Sequence, residues 1–386
     1  MAPTKMRYTT CLQSANISLK QAMTKKPIII GITGNIATGK SVLQRMLANS
    51  GAFGIDADVI AHRMLYPGGP AYQIVIDKFG TQILTKNKEI SNQKLGEIVF
   101  ADSKRLDQLE EIVHPLVIDA IHRRVKASHS PVVVIEAIKL LESGLADFCD
   151  QIWVSHASFT TQLQRLVETR GMSEAQARAR ISLQPPQTEK CSRADVIIKT
   201  EGSYQETWQK TQRALNDTIE LLKSDNNGHI NIKKHGNLIT VNNFSVSELE
   251  KDWQSLSGKN VSSLYKLLGM KRVFPVTIED KISAFVIWNS WNFTATLENV
   301  CPTTFFESSS SIVYSTFEEH ARSAQTEFIL LSNNLLDSSN SKFSSFGLTQ
   351  SDPEDMTYPA WKTAAIKAAT NDSKKVWLKV LTKPFN

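Results

Sequence analysis

Gly34 to Ser41 reads Gly-Asn-Ile-Ala-Thr-Gly-Lys-Ser, two glycines at a fixed spacing followed by a cation and a hydroxyl. Each position has a chemical use. Gly34 and Gly39 let the backbone curl so that the amides of Asn35, Ile36, Ala37 and Thr38 point inward, and a following helix adds its positive end, which makes a cradle for a polyphosphate. Lys40 would place a charge on the terminal phosphates, and the Ser41 hydroxyl would ligate magnesium. A second group stands in Gly54-Ile-Asp-Ala-Asp-Val-Ile-Ala61, where Asp56 and Asp58 are two apart at the expected end of a second strand. That is the ligand crevice of open α/β sheets. A carboxylate beside magnesium and a terminal phosphate can orient an acceptor hydroxyl and take its proton. Either aspartate would serve equally well as the cap of the next helix.

These residues need a sheet to hold them. The apolar run Ile28-Ile-Ile-Gly-Ile32 before the loop reads as a strand, and Ser41-Val-Leu-Gln-Arg-Met-Leu47 after it has helical spacing. Further strands are expected at Ala52 to Asp56, Pro131 to Glu136, Gln151 to Val154 and Asp195 to Ile198, alternating with helices. Such alternation predicts a parallel sheet flanked by helices in an α/β fold. The expected organisation is an extension over 1–26, a nucleotide-binding domain over 27–222, a polar linker over 223–231 and a smaller α+β domain over 232–386. In the last of these, strands are expected at Val273 to Ile278, Ile282 to Trp288, Phe293 to Leu297, Glu327 to Leu331 and Lys375 to Leu381. Helices are expected at Ile312 to Ala324 and Pro359 to Ala369, and the run Ser308 to Ser311 reads as a loop.

Composition narrows the class. The formal charge of +6 over 386 residues is too small an excess to point to nucleic acid. Its placement is more telling, because no acidic residue precedes Asp56 and the loop therefore lies in locally positive sequence. Cys11, Cys149, Cys191 and Cys301 are far apart, without zinc-like spacing, which suits reduced thiols in a cytoplasmic protein. No apolar stretch approaches the roughly eighteen residues of a membrane span.

An ordered set of motifs now resembles the dephospho-coenzyme A kinase family. It runs from Gly31-Ile-Thr-Gly-x4-Gly-Lys-Ser41 through Ile55-Asp-Ala-Asp58, Pro67-Gly-Gly-Pro-Ala71, Phe79-Gly80, Leu95-Gly-Glu-Ile-Val-Phe100 and His114-Pro-Leu116. It continues through Gln162-Leu-x-Arg165, Arg170-Gly171, Glu174-Ala-x-Ala-Arg178, Gln184 and Ala194-Asp-Val-Ile-Ile198. The resemblance covers roughly Pro27 to Leu222 and implies transfer of the ATP γ-phosphoryl group to the ribose 3′-hydroxyl of dephospho-coenzyme A, with Mg2+. It implies Asp58 as the catalytic aspartate, with Lys40 and Arg170 beside it. It places Gly34 through Val42 and Arg165 on the nucleotide, and Ser41 and Asp56 on the metal. Arg165, Arg170, Arg178 and Arg180 fall in the lid segment, where guanidinium forks over a triphosphate would neutralise developing charge. Arg178 and Arg180 would also suit an exposed helix face. Pro115 is expected to begin a helix, with His114 in the preceding turn.

Three departures from the family pattern stand out, the first two on the acceptor side and the third near the adenine-binding loop. Glu136 stands where the family has Asp, Lys139 replaces a proline-containing context with a charge, and Lys199-Thr200 replaces an Asp-Asn pair. The alternative functions are a P-loop kinase of another small alcohol or nucleoside, or a scaffold with a vestigial kinase domain. The oligomeric state is left open. The C-terminal element order resembles the N-acetyltransferase fold, but Glu307-Ser-Ser-Ser-Ser311 lacks the glycines of its pyrophosphate loop, so a degenerate module is expected there. Trp288, Trp291 and Trp361 are expected in its core. On this reading a fragment ending near Leu222 would keep the chemistry.

Overall fold

The computed structural model describes residues 26–225, 246–278, 281–332, 335, 341–356, 358–369 and 375–382. The expected extension thus lies outside the described residues except for its last residue, as does the part of the expected linker from 226 onward.

Five strands build the first sheet: β1 (Ile28–Thr33), β2 (Phe53–Asp56), β3 (Val132–Glu136), β4 (Gln151–His156) and β5 (Val196–Lys199), in the spatial order β2-β3-β1-β4-β5. All four pairings are parallel. A parallel sheet is covered on both faces, which is why β1 and β3 are continuous β-branched runs buried at every position. Period-two alternation splits them between two cores. Ile29, Ile55, Val133 and Ile135 face one cluster, and Ile30, Ile32, Val134 and Trp153 face the other.

The helices are α1 (Lys40–Asn49), α2 (Ala57–Met64), α3 (Tyr72–Phe79), α4 (Asn92–Ala101), α5 (Ser103–Ala127), α6 (Phe159–Arg170), α7 (Glu174–Ser182), α8 (Gln187–Cys191) and α9 (Tyr204–Asp225). Helix α9 runs to Asp225, three residues past the expected domain end at Leu222. Helix α5 departs from expectation too, because His114 and Pro115 lie inside it rather than at a start. An internal proline costs about 3 kcal/mol. Burial of Val113, Val117, Ile121 and Val125 along one face outweighs that cost.

A second sheet contains β6 (Arg272–Ile278), β7 (Lys281–Trp291), β8 (Thr294–Cys301), β9 (Phe328–Leu331), β10 (Thr349–Ser351) and β11 (Val376–Val380), in the order β10-β11-β9-β8-β7-β6. Only β8 and β9 pair in parallel, and helix α12 (Thr303–Ser323) links them after α10 (Val246–Ser257) and α11 (Val261–Met270). Helix α13 is Pro359–Ala368. In place of a loop, the serine run holds the junction of two helical segments, kinked at Ser309 with φ −133° and ψ 30°. Phe306 on one side of it and Val313, Tyr314, Phe317 and Ala321 on the other keep helical spacing and are buried, which carries the helix through. Trp288 and Trp361 are buried, whereas Trp291 is 44% exposed beside Lys367.

The two sheets do not sit on separate cores. Met46 of α1 and Trp208 of α9 pack in one cluster with Leu249, Trp253, Leu264, Tyr265, Leu268 and Phe285. Asn49 at the end of α1 adds polar links, donating to the carbonyls of Leu268 and Lys271 and accepting from the Val273 amide.

Candidate active site

The glycine loop joins β1 to α1, and its geometry accounts for both glycines. Gly34 has φ +149°, and a Cβ there would lie 2.5 Å from Ser155 Oγ and 2.6 Å from the Ser155 carbonyl oxygen. Gly39 has φ +98° and begins α1 in the left-handed region that glycine tolerates. Ala37 also adopts a left-handed conformation, with φ 57°. Thr38 is buried and ties the loop to itself and to β4, through Asn35 O at 2.8 Å and Ser155 Oγ at 2.7 Å.

Lys40 is buried at the base of α1, with Nζ donating to Gly34 O at 2.8 Å and Asn35 O at 3.1 Å. Burial lowers its pKa, while the charges of Glu136 and Asp58 pull the other way and those of Lys190 and Arg170 add to the lowering. The fold thus brings two carboxylates and two further cations within electrostatic reach of Lys40. Val42 packs beside the shared cluster of Met46 and Trp208.

The acidic side is formed by the ends of neighbouring strands. Asp56 and Glu136 are register partners at the ends of β2 and β3. Burial and then the charge of Asp56 push the Glu136 carboxyl up to about 7, and Ser41 Oγ donates to it at 2.6 Å. Asp56 is raised chiefly by burial, and its side chain caps α2 by accepting from the Val59 amide at 3.0 Å. Asp58, in the first turn of α2, is raised by burial of its recess but keeps solvent access, and it accepts from the Ile138 amide at 3.3 Å.

This donor set suits a hard divalent cation. Ser41, Glu136 and Asp56 line one cavity, and two neighbouring carboxylates with raised pKa values gain when a cation shares the site. Among the described residues no group of three or more His, Cys, Asp or Glu side chains could hold a metal alone. Magnesium sites built with substrate phosphates are completed by those phosphates. A cavity of about 110 Å3 opens beside Ser41, Asp56 and Glu136, and its far wall is the β7–β8 turn around Asn292 and Phe293.

The lid segment meets the loop directly. Arg165 on α6 donates to Ala37 O at 3.0 Å, Thr200 Oγ1 at 3.0 Å and Thr200 O at 2.6 Å, so its guanidinium holds backbone of the glycine loop. Gln184 accepts from the Ile36 amide at 2.7 Å, and Asn35 Nδ2 donates to Pro185 O at 2.8 Å. Arg170 ends α6 before Gly171, within the field felt by Lys40. Arg178 pairs with Glu174 one turn away on an exposed face and lies over Phe159, and Arg180 is exposed on the same helix.

Other groups complete the site. Glu136, a departure from the family pattern, bonds the Ser41 hydroxyl. Thr200, the replacement for an expected Asn, is buried and donates to Thr38 O at 2.6 Å. Lys190 reaches in from α8 to Ile138 O at 2.6 Å, and its neighbours in sequence give no sign of it. Lys139 is drawn away from the site into an ion pair with Glu110 on α5.

A central β1 running into a Gly-x4-Gly-Lys-Ser turn, with carboxylates on the adjoining strand ends and an arginine-bearing helical segment over the loop, defines a P-loop kinase. Comparison with known proteins gives the particular family. The family model described as dephospho-CoA kinase matches residues 28–206. A dephospho-CoA kinase from Carboxydothermus hydrogenoformans is 43% identical over 182 residues, 46% of this chain and 88% of the relative. One from Geobacter metallireducens is 38% identical over 196 residues, 50% of this chain and 98% of the relative. A crystal structure from Thermus thermophilus is 29% identical with a TM-score of 0.46, covering 51% of this chain and 99% of that one. The chain belongs to the dephospho-CoA kinase family. Kinases of this family use ATP. Among the described residues no helix is long and apolar enough to cross a membrane.

Proposed function

We propose that this chain phosphorylates the ribose 3′-hydroxyl of dephospho-coenzyme A with ATP, giving coenzyme A and ADP. The observation that carries the proposal is the convergence of Lys40, Ser41, Asp58 and Glu136 on one strand-end crevice in a chain of this family.

Gly34 to Val42 would wrap the triphosphate with backbone amides, with Lys40 on the β- and γ-phosphates. Arg165 would act on the nucleotide through the loop it holds. Mg2+, held by Ser41, Asp56 and Glu136, would supply charge neutralisation on the phosphate oxygens. Asp58 would align the acceptor hydroxyl and accept its proton as the 3′-oxygen bonds to the γ-phosphorus and the bond to the ADP oxygen breaks. A carboxyl with a raised pKa and open access is suited to that transfer. Arg170 would face the γ-phosphoryl from the lid and balance its charge.

We assign the kinase unit to 27–222 and an α+β unit to 232–386. The latter is read as a degenerate N-acetyltransferase-like module, on its antiparallel run followed by the parallel β8–α12–β9 crossover. Helix occupies the place of a glycine loop there. The free thiols of Cys149, Cys191 and Cys301 favour the cytoplasm as its compartment. The test is ADP release with dephospho-coenzyme A, shikimate, gluconate and nucleosides as acceptors. Stimulation by dephospho-coenzyme A alone is expected, and stimulation only by another acceptor would overturn the substrate assignment.

A further inference from the structure

We propose that the C-terminal half positions the catalytic helix α2, through a buried ion pair between Arg63 and Glu327. The proposal rests on the assignment of Asp58 to the acceptor hydroxyl.

Helix α2 has only eight residues. Its first turn carries Asp58, tied to the Ile138 amide, and its last turn carries Arg63, five residues on and roughly 7.5 Å along the axis. Arg63 is 6% exposed and meets Glu327 Oε2 at 2.5 Å. Glu327 is itself fixed: its amide donates to Phe293 O at 2.7 Å, and its carbonyl accepts from Leu381 at 2.7 Å and Thr382 at 3.2 Å. The pair therefore connects α2 to the start of β9, an interior strand of the second sheet, rather than to a loose side chain.

The surroundings extend the connection to α5. The Phe293 ring lies between two guanidinium groups, Arg63 at 4.4 Å and Arg124 at 4.1 Å. Arg124 donates to Gln325 Oε1 at 3.2 Å, while Gln325 Nε2 donates back to Arg124 O at 3.0 Å. Asn292 Nδ2 donates to the Tyr66 hydroxyl at 3.2 Å, just beyond α2. Burying two guanidinium groups and a carboxylate is costly unless each is paired, and here the Arg63–Glu327 and Arg124–Gln325 contacts cross from the kinase helices to the second sheet. A short helix held at both ends keeps Asp58 in one place, and a shift of about 1 Å at a reacting group can cost about a hundredfold in rate.

The experiment compares wild type with Arg63→Ala/Glu327→Ala, which removes the pair without leaving either of its charges buried alone, and with Arg63→Lys and Phe293→Ala as milder variants. Turnover is measured well below each melting temperature, alongside hydrogen exchange of the amides of 57–64 and 40–49. The double variant should lose about tenfold or more in kcat, with KM for ATP within about twofold. Exchange should quicken about tenfold in 57–64 and stay unchanged in 40–49. Arg63→Lys and Phe293→Ala should show the same pattern at smaller amplitude, and they decide the matter if the double variant does not fold. Folded variants with unchanged kcat and unchanged exchange in 57–64 would overturn the proposal, even if they melt earlier. Wild type inactive on dephospho-coenzyme A would instead defeat the substrate assignment, and the exchange pattern would still judge the brace.

Discussion

Glu136→Gln separates what a buried carboxylate costs the fold from what it does for the reaction. Glu136 is moved from 4.5 to about 7, by burial first and by its neighbour Asp56 second. At about 1.4 kcal/mol per factor of ten, that displacement is worth about 3 kcal/mol. A carboxyl with a raised folded value holds its proton more tightly in the folded chain. Its contribution is therefore complete below about pH 4.5 and is lost as the pH rises through about 7. Glutamine has no such dependence and can still accept from Ser41 Oγ. Between pH 5 and pH 8 the variant should gain about 2–3 kcal/mol on wild type. An unfolding entropy of about 2.1 cal/mol/K per residue over 386 residues turns that into a gain of about 3 °C in melting temperature. The assay is calorimetry with EDTA at several pH values, paired with turnover in magnesium, where a loss of about a hundredfold is expected. A melting difference that stays flat from pH 5 to pH 8 would refute the reasoning.

Lys40→Ala and Asp58→Asn should each lower turnover by about two orders of magnitude, read from ADP release, and near-normal turnover would remove that residue from its assigned role. Gly34→Ala should abolish nucleotide binding in titration calorimetry, because the new methyl group would meet Ser155 backbone at 2.6 Å in a conformation that side chains rarely adopt. A fragment ending at Leu222 should aggregate or melt without cooperativity by size-exclusion chromatography and circular dichroism. It exposes Met46 and Trp208, each worth about 1.5–3 kcal/mol of burial. A monodisperse fragment with full turnover would contradict this.

The loop, the first strands and the placement of Asp58 were legible because they follow local rules: glycines where the backbone must curl, β-branched runs where a strand is buried on both faces. The same locality limited the rest. Pro115 signals a helix start by its own chemistry, and only the buried stripe from Val113 to Val125 reveals that the helix passes through it. The serine run signals a loop, and only the buried aromatics on both sides of it show that helix continues up to a kink at Ser309 and beyond it. Asp56 was ambiguous between cap and ligand, and it does cap α2 while standing beside Glu136. Lys190 and Thr200 approach the loop from residues more than 150 positions away, through pairings that no spacing announces. That Met46 of α1 and Trp208 of α9 pack on residues of the second half was not legible, because those partners lie beyond residue 245 in the chain.

Helix α1 carries Ser41 of the phosphate loop near its start and Met46, sealed into the shared cluster, one turn later. Any free energy gained by a ligand on the loop is therefore gained by a body that includes β6 to β8. By linkage, a nucleotide should protect strands that it never touches, and packing changes among Leu249, Trp253 and Leu264 should register as altered nucleotide affinity. The second sheet is in this sense thermodynamically part of the binding site.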